Sequence, residues 1–277
     1  MEIDLGRSQK ISLVTVCRNS AATIAKTIDS VLSQKDAGVE YIIIDGASTD
    51  GTQAVVESYG SNIDIFFSEP DEGIADAFNK GIALATGSII GLINSNDTLT
   101  DGALQKVRNY FANHPDAEVV HGDILLLSGA QVIKRIKPPA HWWYPWRLVL
   151  FNHPATYVRR TVYERLGGFD TTYSIAMDAD IFLRWSSNGV KIDYLAEILA
   201  HMQAGGVSDR CAIEQFRQLR NALIRHGFSR PLAHLQYWGK SLLWWILQIV
   251  FWLRRKLHLQ TVTISTIETP FGKNSRP

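Results

Sequence analysis

Cysteine is nearly absent from this 277-residue chain, and the two present, Cys17 and Cys211, are too few for a disulfide framework and too far apart for a zinc motif. The pair fits a reducing compartment. Excess charge is missing too: 28 Lys and Arg offset 27 Asp and Glu to a formal +1, which argues against a protein held to nucleic acid by phosphate neutralisation. No nucleic-acid partner is expected, and any phosphate chemistry is local. The first ten residues carry no apolar run of the kind a signal peptide needs, so a cytoplasmic location is expected. No glycine-rich turn follows the first apolar run, where residues 16–20 read Val-Cys-Arg-Asn-Ser; this removes nicotinamide oxidoreductases. Nucleotidyltransferases lose ground for want of a glycine-rich basic loop, and aspartyl phosphatases because Ser48 stands two residues before Asp50.

What is present is ample material for a core, with 46% hydrophobic and 20% charged residues. Short β-branched runs at 11–16, 41–44, 63–67 and 89–93 read as buried strands. Between them, 22–32, 52–58 and 74–85 are patterned as helices, the first with Ser20 as a candidate N-cap. This βα alternation implies an α/β, Rossmann-like domain with a mainly parallel sheet, whose ligands bind beyond the carboxyl ends of the strands. Each of those ends is polar: Cys17-Arg18-Asn19, then Asp45-Gly46, then Glu69-Pro70-Asp71, then Asn94-Ser95-Asn96-Asp97. Beyond residue 101 the reading gives a helix to about 113, strands at 118–124 and 131–136, an aromatic stretch at 141–146, and helices at 179–186 and 209–226.

Three constellations carry chemistry. Residues 45–52 join a strand to a helix with groups suited to a nucleoside, Asp45 foremost, although turn formation and helix capping account for the same residues. Residues 94–97 cluster oxygen donors at a strand end, which suits a hard divalent cation bridging two phosphates, with Asp97 the best ligand. Asp178 and Asp180 fall at the start of a helix, where a carboxylate can act as general base toward an acceptor hydroxyl. His153 and His201 are candidates for the acceptor side, His201 also as an extra metal ligand.

Over residues 11–208 the chain resembles family 2 glycosyltransferases of the GT-A fold, especially bacterial enzymes of surface-polysaccharide assembly. The carriers are the motifs at 14–19, 45–52, 68–81, 94–97 and 178–180, in the family's order. The resemblance implies an inverting transfer from a nucleoside-diphosphate sugar, UDP- or GDP-linked, to a lipid-linked or other glycan acceptor. It implies Thr15, Asn19, Asp45 and Ser48 at the nucleoside, Asp76, Asn79, Lys80, Asn94 and Asn96 toward the donor, Mn2+ or Mg2+ on Asp97, Asp178 as base, and Asp180 with His153 on the acceptor side. These distant acids are expected to meet around one hollow. The chain departs from the family where Asn96 replaces a frequent aspartate and Met177 a frequent glutamate, which keeps a degenerate sugar-nucleotide-binding or scaffolding protein as the alternative.

The expected domains are 1–208 for the GT-A unit, with a donor half to 100 and an acceptor half from 101, then C-terminal helices over 209–260 and a polar tail over 261–277. Segment 235–259 is rich in tryptophan and ends in Arg254-Arg255-Lys256. The thirteen residues between Lys240 and Arg254 fall short of the roughly 20 that cross a bilayer. Interfacial attachment to the cytoplasmic membrane face is therefore expected, with packing on the protein itself or on another subunit as the competing use of the helix.

Overall fold

The computed structural model describes residues 10–138, 152–205 and 211–256; the aromatic stretch at 141–146 and the polar tail lie outside them. The elements run β1 (Ile11–Cys17), α1 (Ile24–Leu32), β2 (Val39–Asp45), α2 (Thr52–Glu57), β3 (Ile65–Ser68), α3 (Ile74–Leu84), β4 (Ile89–Asn94), β5 (Thr98–Leu99) and α4 (Ala103–Asn113). They continue with β6 (Val119–Ser128), β7 (Gln131–Ile136), β8 (Thr156–Arg159), α5 (Arg160–Leu166), α6 (Met177–Ser187), β9 (Ile192–Gln203), α7 (Ala212–Arg225) and α8 (Arg230–Lys256).

One sheet takes the order β3-β2-β1-β4-β8-β6-β9-β5, with β7 paired to β6. The first four are mutually parallel, and the register sets Cys17 opposite Asp45, Asp45 opposite Ser68, and Val16 opposite Asn94. The four polar strand ends therefore lie side by side on one rim. Strands β5, β7 and β8 enter antiparallel, so the acceptor half is mixed rather than parallel.

The runs are continuously apolar because both faces of the sheet are covered. Val14, Val16, Ile42 and Ile44 pack on one side with Phe78 of α3, while Ile11, Leu13 and Ile43 pack on the other with Ile24 and Ile28 of α1. Contact with α3 is close enough to require Gly81, where a Cβ would come within 2.2 Å of Val14 Cγ1.

Three expectations change. Ser20 does not cap α1, which starts at Ile24 after Thr23; its carbonyl accepts from both residues and its hydroxyl turns to Ser95 Oγ at 2.8 Å. Strands β8 and β9 and helix α5 were not legible, since β8 has only four residues and β9 lacks a clean alternation of burial. The first compact unit does not close at 208 but runs to Tyr237, because α7 buries Leu219, Ala222 and Leu223 in the same cluster as Val14 and Phe182; the second begins at Trp238. Gly227, at φ +88°, lies between the end of α7 and the start of α8.

At the end of the sheet opposite the rim, Glu40 is 7% exposed and ties three elements together. It accepts from Ser12 Oγ, from Thr86 N at 2.8 Å, from Thr86 Oγ1 at 2.6 Å and from Lys10 Nζ at 3.1 Å. Burial alone would raise its pKa, but the hydrogen bonds from Ser12, Thr86 and Lys10 outweigh it and bring the group from 4.5 down to about 2. A depressed carboxylate stabilises the fold fully above its unfolded value and loses that contribution as pH falls toward the folded one. Glu40→Gln is expected to lower stability by about 1–3 kcal/mol at pH 7. In thermal melts, the gap to the wild type should narrow as pH drops from 4.5 toward 2.

Candidate active site

The rim is built from strained turns. Asn19 and Ala47 hold φ of 51° and 54° at the ends of β1 and β2, a conformation non-glycine residues adopt only where neighbours over-determine it. Asp45 supplies that constraint. It is fully buried, and its carboxylate accepts from Ser48 N at 2.9 Å, Ser68 Oγ at 2.7 Å and Ser48 Oγ. Ser48 Oγ in turn accepts from Asn19 N at 2.7 Å, and Asn19 Oδ1 accepts from Thr49 N at 2.9 Å. Asp45 and Ser48 thus build the turn from inside it. Thr15, also fully buried, lies 3.0 Å through Oγ1 from Tyr41 OH and stands behind the rim, not on it. Beside Asp45, burial pushes the Cys17 thiol far up, which makes it inert.

Arg18 and Asp71 were read from the sequence as polar strand-end residues, without a role of their own. Asp71 packs directly on Gly46, where a Cβ would come within 2.1 Å of Asp71 Oδ2, and Arg18, 64% exposed, approaches Asp71 Oδ1 at 3.9 Å. Their available signal was proximity to the strand ends. On α3, Lys80 is gathered by Glu69 at 2.7 Å, Pro70 O at 2.9 Å and Asp76 at 3.1 Å, which folds the loop after β3 back on the helix. Asn79 does not face outward: its Nδ2 donates to Phe169 O at 2.9 Å and its Oδ1 accepts from Phe169 N at 2.7 Å.

At the end of β4, Asp97 is 2% exposed. Its Oδ1 accepts from Gln203 N at 3.1 Å and its Oδ2 from Asn94 Nδ2 at 3.2 Å. Burial raises its pKa, the Gln203 amide and Asn94 hold it back, and the net value is about 6. Asn94 Oδ1 is buried with no hydrogen-bond partner among the described residues. Asn96 is exposed, and His201 meets Thr98 Oγ1 through Nδ1 at 3.2 Å.

Asp178 stands in the first turn of α6, with His153 Nδ1 3.0 Å from its Oδ1. Burial would lower the His153 pKa, but Asp178 and then Asp97 outweigh it and raise it above the ordinary value. Asp97 and Asp178, remote in sequence, are thus linked electrostatically through one buried imidazole. Asp45 shares their rim but lies sealed beneath its own turn. Asp180 does not reach the acceptor side: it is 1% exposed and bonded to Arg184 at 3.1 Å and His226 at 2.9 Å, because one residue pair along the helix turns it inward.

The segment carrying Asp178 is clamped by α7. Gln218 Oε1 accepts from Ile175 N and Ala176 N, both at 3.0 Å, and its Nε2 donates to Ser174 Oγ at 2.9 Å. Arg225 pairs with Asp170. A glutamine on the apolar stripe of a helix, beside Leu219 and near Phe216, was the one sequence signal for this clamp.

A parallel sheet whose strand ends carry a buried carboxylate, a half-exposed helical one and a hydroxyl-lined turn has the layout of an α/β enzyme acting beyond its strand ends. Residues 12–177 match Glycosyl transferase family 2, and the chain belongs to that family. It is 25% identical over 263 residues to a PGL/p-HBAD biosynthesis glycosyltransferase of Mycobacterium bovis, covering 88% of this chain and 98% of that one. With O-antigen biosynthesis protein RfbC of Myxococcus xanthus it shares 29% over 253 residues, 84% of this chain and 20% of that protein. Among solved structures, S. aureus TarS 1–349 in complex with UDP covers 82% of this chain at TM-score 0.63 and 17% identity, with 69% of that chain matched. The mannosyltransferase PcManGT of Pyrobaculum calidifontis, in complex with GDP-Man and Mn2+, covers 91% at TM-score 0.58 and 16% identity, with 81% of that chain matched. The fold is GT-A.

Gln218→Met keeps the volume of the side chain and strands two amides. Hydrogen exchange at Ile175 and Ala176 is expected to quicken about 10- to 100-fold, equivalent to ~1–3 kcal/mol of lost protection, while β1 is unaffected.

Proposed function

We propose that the protein is an inverting glycosyltransferase that moves a sugar from a UDP- or GDP-linked donor to a hydroxyl of a lipid-linked glycan in cell-surface polysaccharide assembly. The observation that carries this reading is the state of Asp178: its Oδ1 is buried beside His153 while the side chain as a whole is 41% exposed, so the rest of the carboxylate is open to solvent. Relatives named for PGL/p-HBAD and O-antigen biosynthesis, and fold neighbours bound to UDP or GDP-Man, support the substrate class.

In this scheme Asp178 takes the proton from the acceptor hydroxyl as its oxygen attacks the anomeric carbon, and the bond to the nucleoside diphosphate breaks on the opposite face. Attack from one face and departure from the other invert the anomeric configuration. Asn19 and Arg18 line the rim where the donor lies, Arg18 as an exposed cation for its diphosphate.

The residues fit a divalent cation of the Mn2+ or Mg2+ class, delivered with the donor. Asp97 offers one buried carboxylate and Asn94 Oδ1 an orphaned oxygen beside it, with His201 Nε2 as a further donor. Among the described residues there is no group of three or more acidic, His or Cys side chains placed to hold a metal ion, and ions of this class take further ligands from phosphates and water. When bound, such an ion neutralises charge on the departing diphosphate.

Purified protein given UDP-glucose, UDP-GlcNAc or GDP-mannose with Mn2+ is expected to hydrolyse or transfer from one of them, with proton NMR reporting an inverted anomer. Asp178→Asn should lower kcat by about 10²- to 10⁴-fold while UDP affinity stays within ~3-fold. Full turnover by that variant overturns the base assignment.

Attachment to a membrane surface is part of this reading. Among the described residues no helix is long and apolar enough to cross a membrane, yet α8 exposes Leu235, Trp238, Leu242, Trp245, Ile249 and Trp252. A tryptophan-rich helix whose uncharged run, between Lys240 and Arg254, is shorter than a span suits the headgroup region. Full-length protein is expected to float with vesicles containing one-third anionic lipid, and a Trp238→Glu/Trp245→Glu variant to stay in the aqueous fraction. Equal flotation of both defeats the attachment.

A further inference from the structure

We propose that His153 is a positioning residue for the catalytic carboxylate: it holds one oxygen of Asp178 so that the other is presented to the acceptor hydroxyl. The inference rests on the glycosyltransferase reading and deepens it. His153 Nδ1 lies 3.0 Å from Asp178 Oδ1, with the two side chains 10% and 41% exposed. Oδ1 is buried and makes no hydrogen bond among the described residues, so the ion-pair contact with the imidazole is what offsets its burial. Without it, the desolvation of the buried carboxylate oxygen is left unoffset, which favours a rotamer that turns the group out to solvent.

The imidazole itself is held on rigid ground. Its ring lies tilted against Phe78 at 4.9 Å and Phe169 at 6.0 Å between centroids, and Phe169 is gripped through its backbone by Asn79. His153 opens a one-turn helix (His153–Ala155) stiffened by Pro154. The preceding Asn152 donates to Gly122 O at 2.9 Å and Ile136 O at 3.0 Å.

One helical step away, the same two residue types form a pair of the opposite kind. Asp180 and His226 are 1% and 12% exposed, and both Asp180 oxygens are occupied, one by Arg184 and one by His226. That is a pair serving stability alone. In Asp178 one oxygen is engaged and the rest of the carboxylate is left open, the division of labour a general base requires. During transfer the acceptor proton goes to the open oxygen of Asp178, the glycosidic bond forms as the bond to the diphosphate breaks, and Oδ1 stays with His153 throughout. The proton returns to water after product leaves.

The test compares full-length wild type, His153→Leu and His153→Asn, the last keeping an N–H near the Nδ1 position, in steady-state assays with UDP-GlcNAc, UDP-glucose or GDP-mannose and Mn2+. His153→Leu is expected to lower kcat by about 10²-fold with donor KM within ~2-fold, and His153→Asn to recover kcat to within ~5-fold of wild type. In an Asp178→Asn background, His153→Leu should cost less than about 2-fold more, since the two residues act as a unit. A His153→Leu kcat equal to wild type, a His153→Asn variant as impaired as His153→Leu, or additive losses in the double variant overturns the assignment of His153 alone. A wild type that turns over none of the donors overturns the transferase reading, and this inference with it. Should His153→Leu fail to fold, the His153→Asn comparison and its cycle with Asp178→Asn decide the matter.

Discussion

Two hydrogen bonds from one amide side chain hold the halves of the active site together. Asn79, on the helix that backs the donor strands, grips both polar groups of the Phe169 backbone, ninety residues away in sequence. A bidentate grip leaves Phe169 neither translation nor rotation, and Phe169 then helps wall in His153, which meets Asp178. Helix α3 thus ties the parallel strands to the segment that leads into α6.

The remaining supports work on the same pattern of a buried polar group constraining a loop. Asp45 accepts from Ser48 and Ser68 and so holds Ala47 in a left-handed conformation, which brings Asn19 and Ser48 together at the mouth of the sheet. Gln218 does for the start of α6 what Asp45 does for the β2–α2 turn: it satisfies amides that the helix leaves unbonded. Asp180 then locks α6 from below through Arg184 and His226. Because Gln218 and His226 both come from the region of α7, a helix outside the matched family segment of 12–177 takes part in shaping the site.

Much of the donor half could be read directly. Strands β1, β2 and β4 and helix α3 were legible because each is a run of apolar residues with one period, buried on both sides. The acceptor half was harder. Strand β9 is half-buried along most of its length, and β8 is too short to carry a period, so neither announces itself locally. Among site residues, the acids at strand ends and helix starts stood out by type and position. Thr15, Asp45, Ser48, Asn79 and Asp180 were singled out too, and the contacts each makes within the protein were not legible in the sequence.

What the sequence alone determined was the class of architecture and the inventory of reactive groups, because periodicity and residue type are local properties. Which way those groups face was decided only by tertiary structure. Asp178 and Asp180 sit two residues apart on one helix, yet one opens to the cleft and the other is sealed against His226. The difference of about 200° around a helix axis is legible locally, but which side is cleft and which is core depends on packing partners a hundred residues distant in either direction.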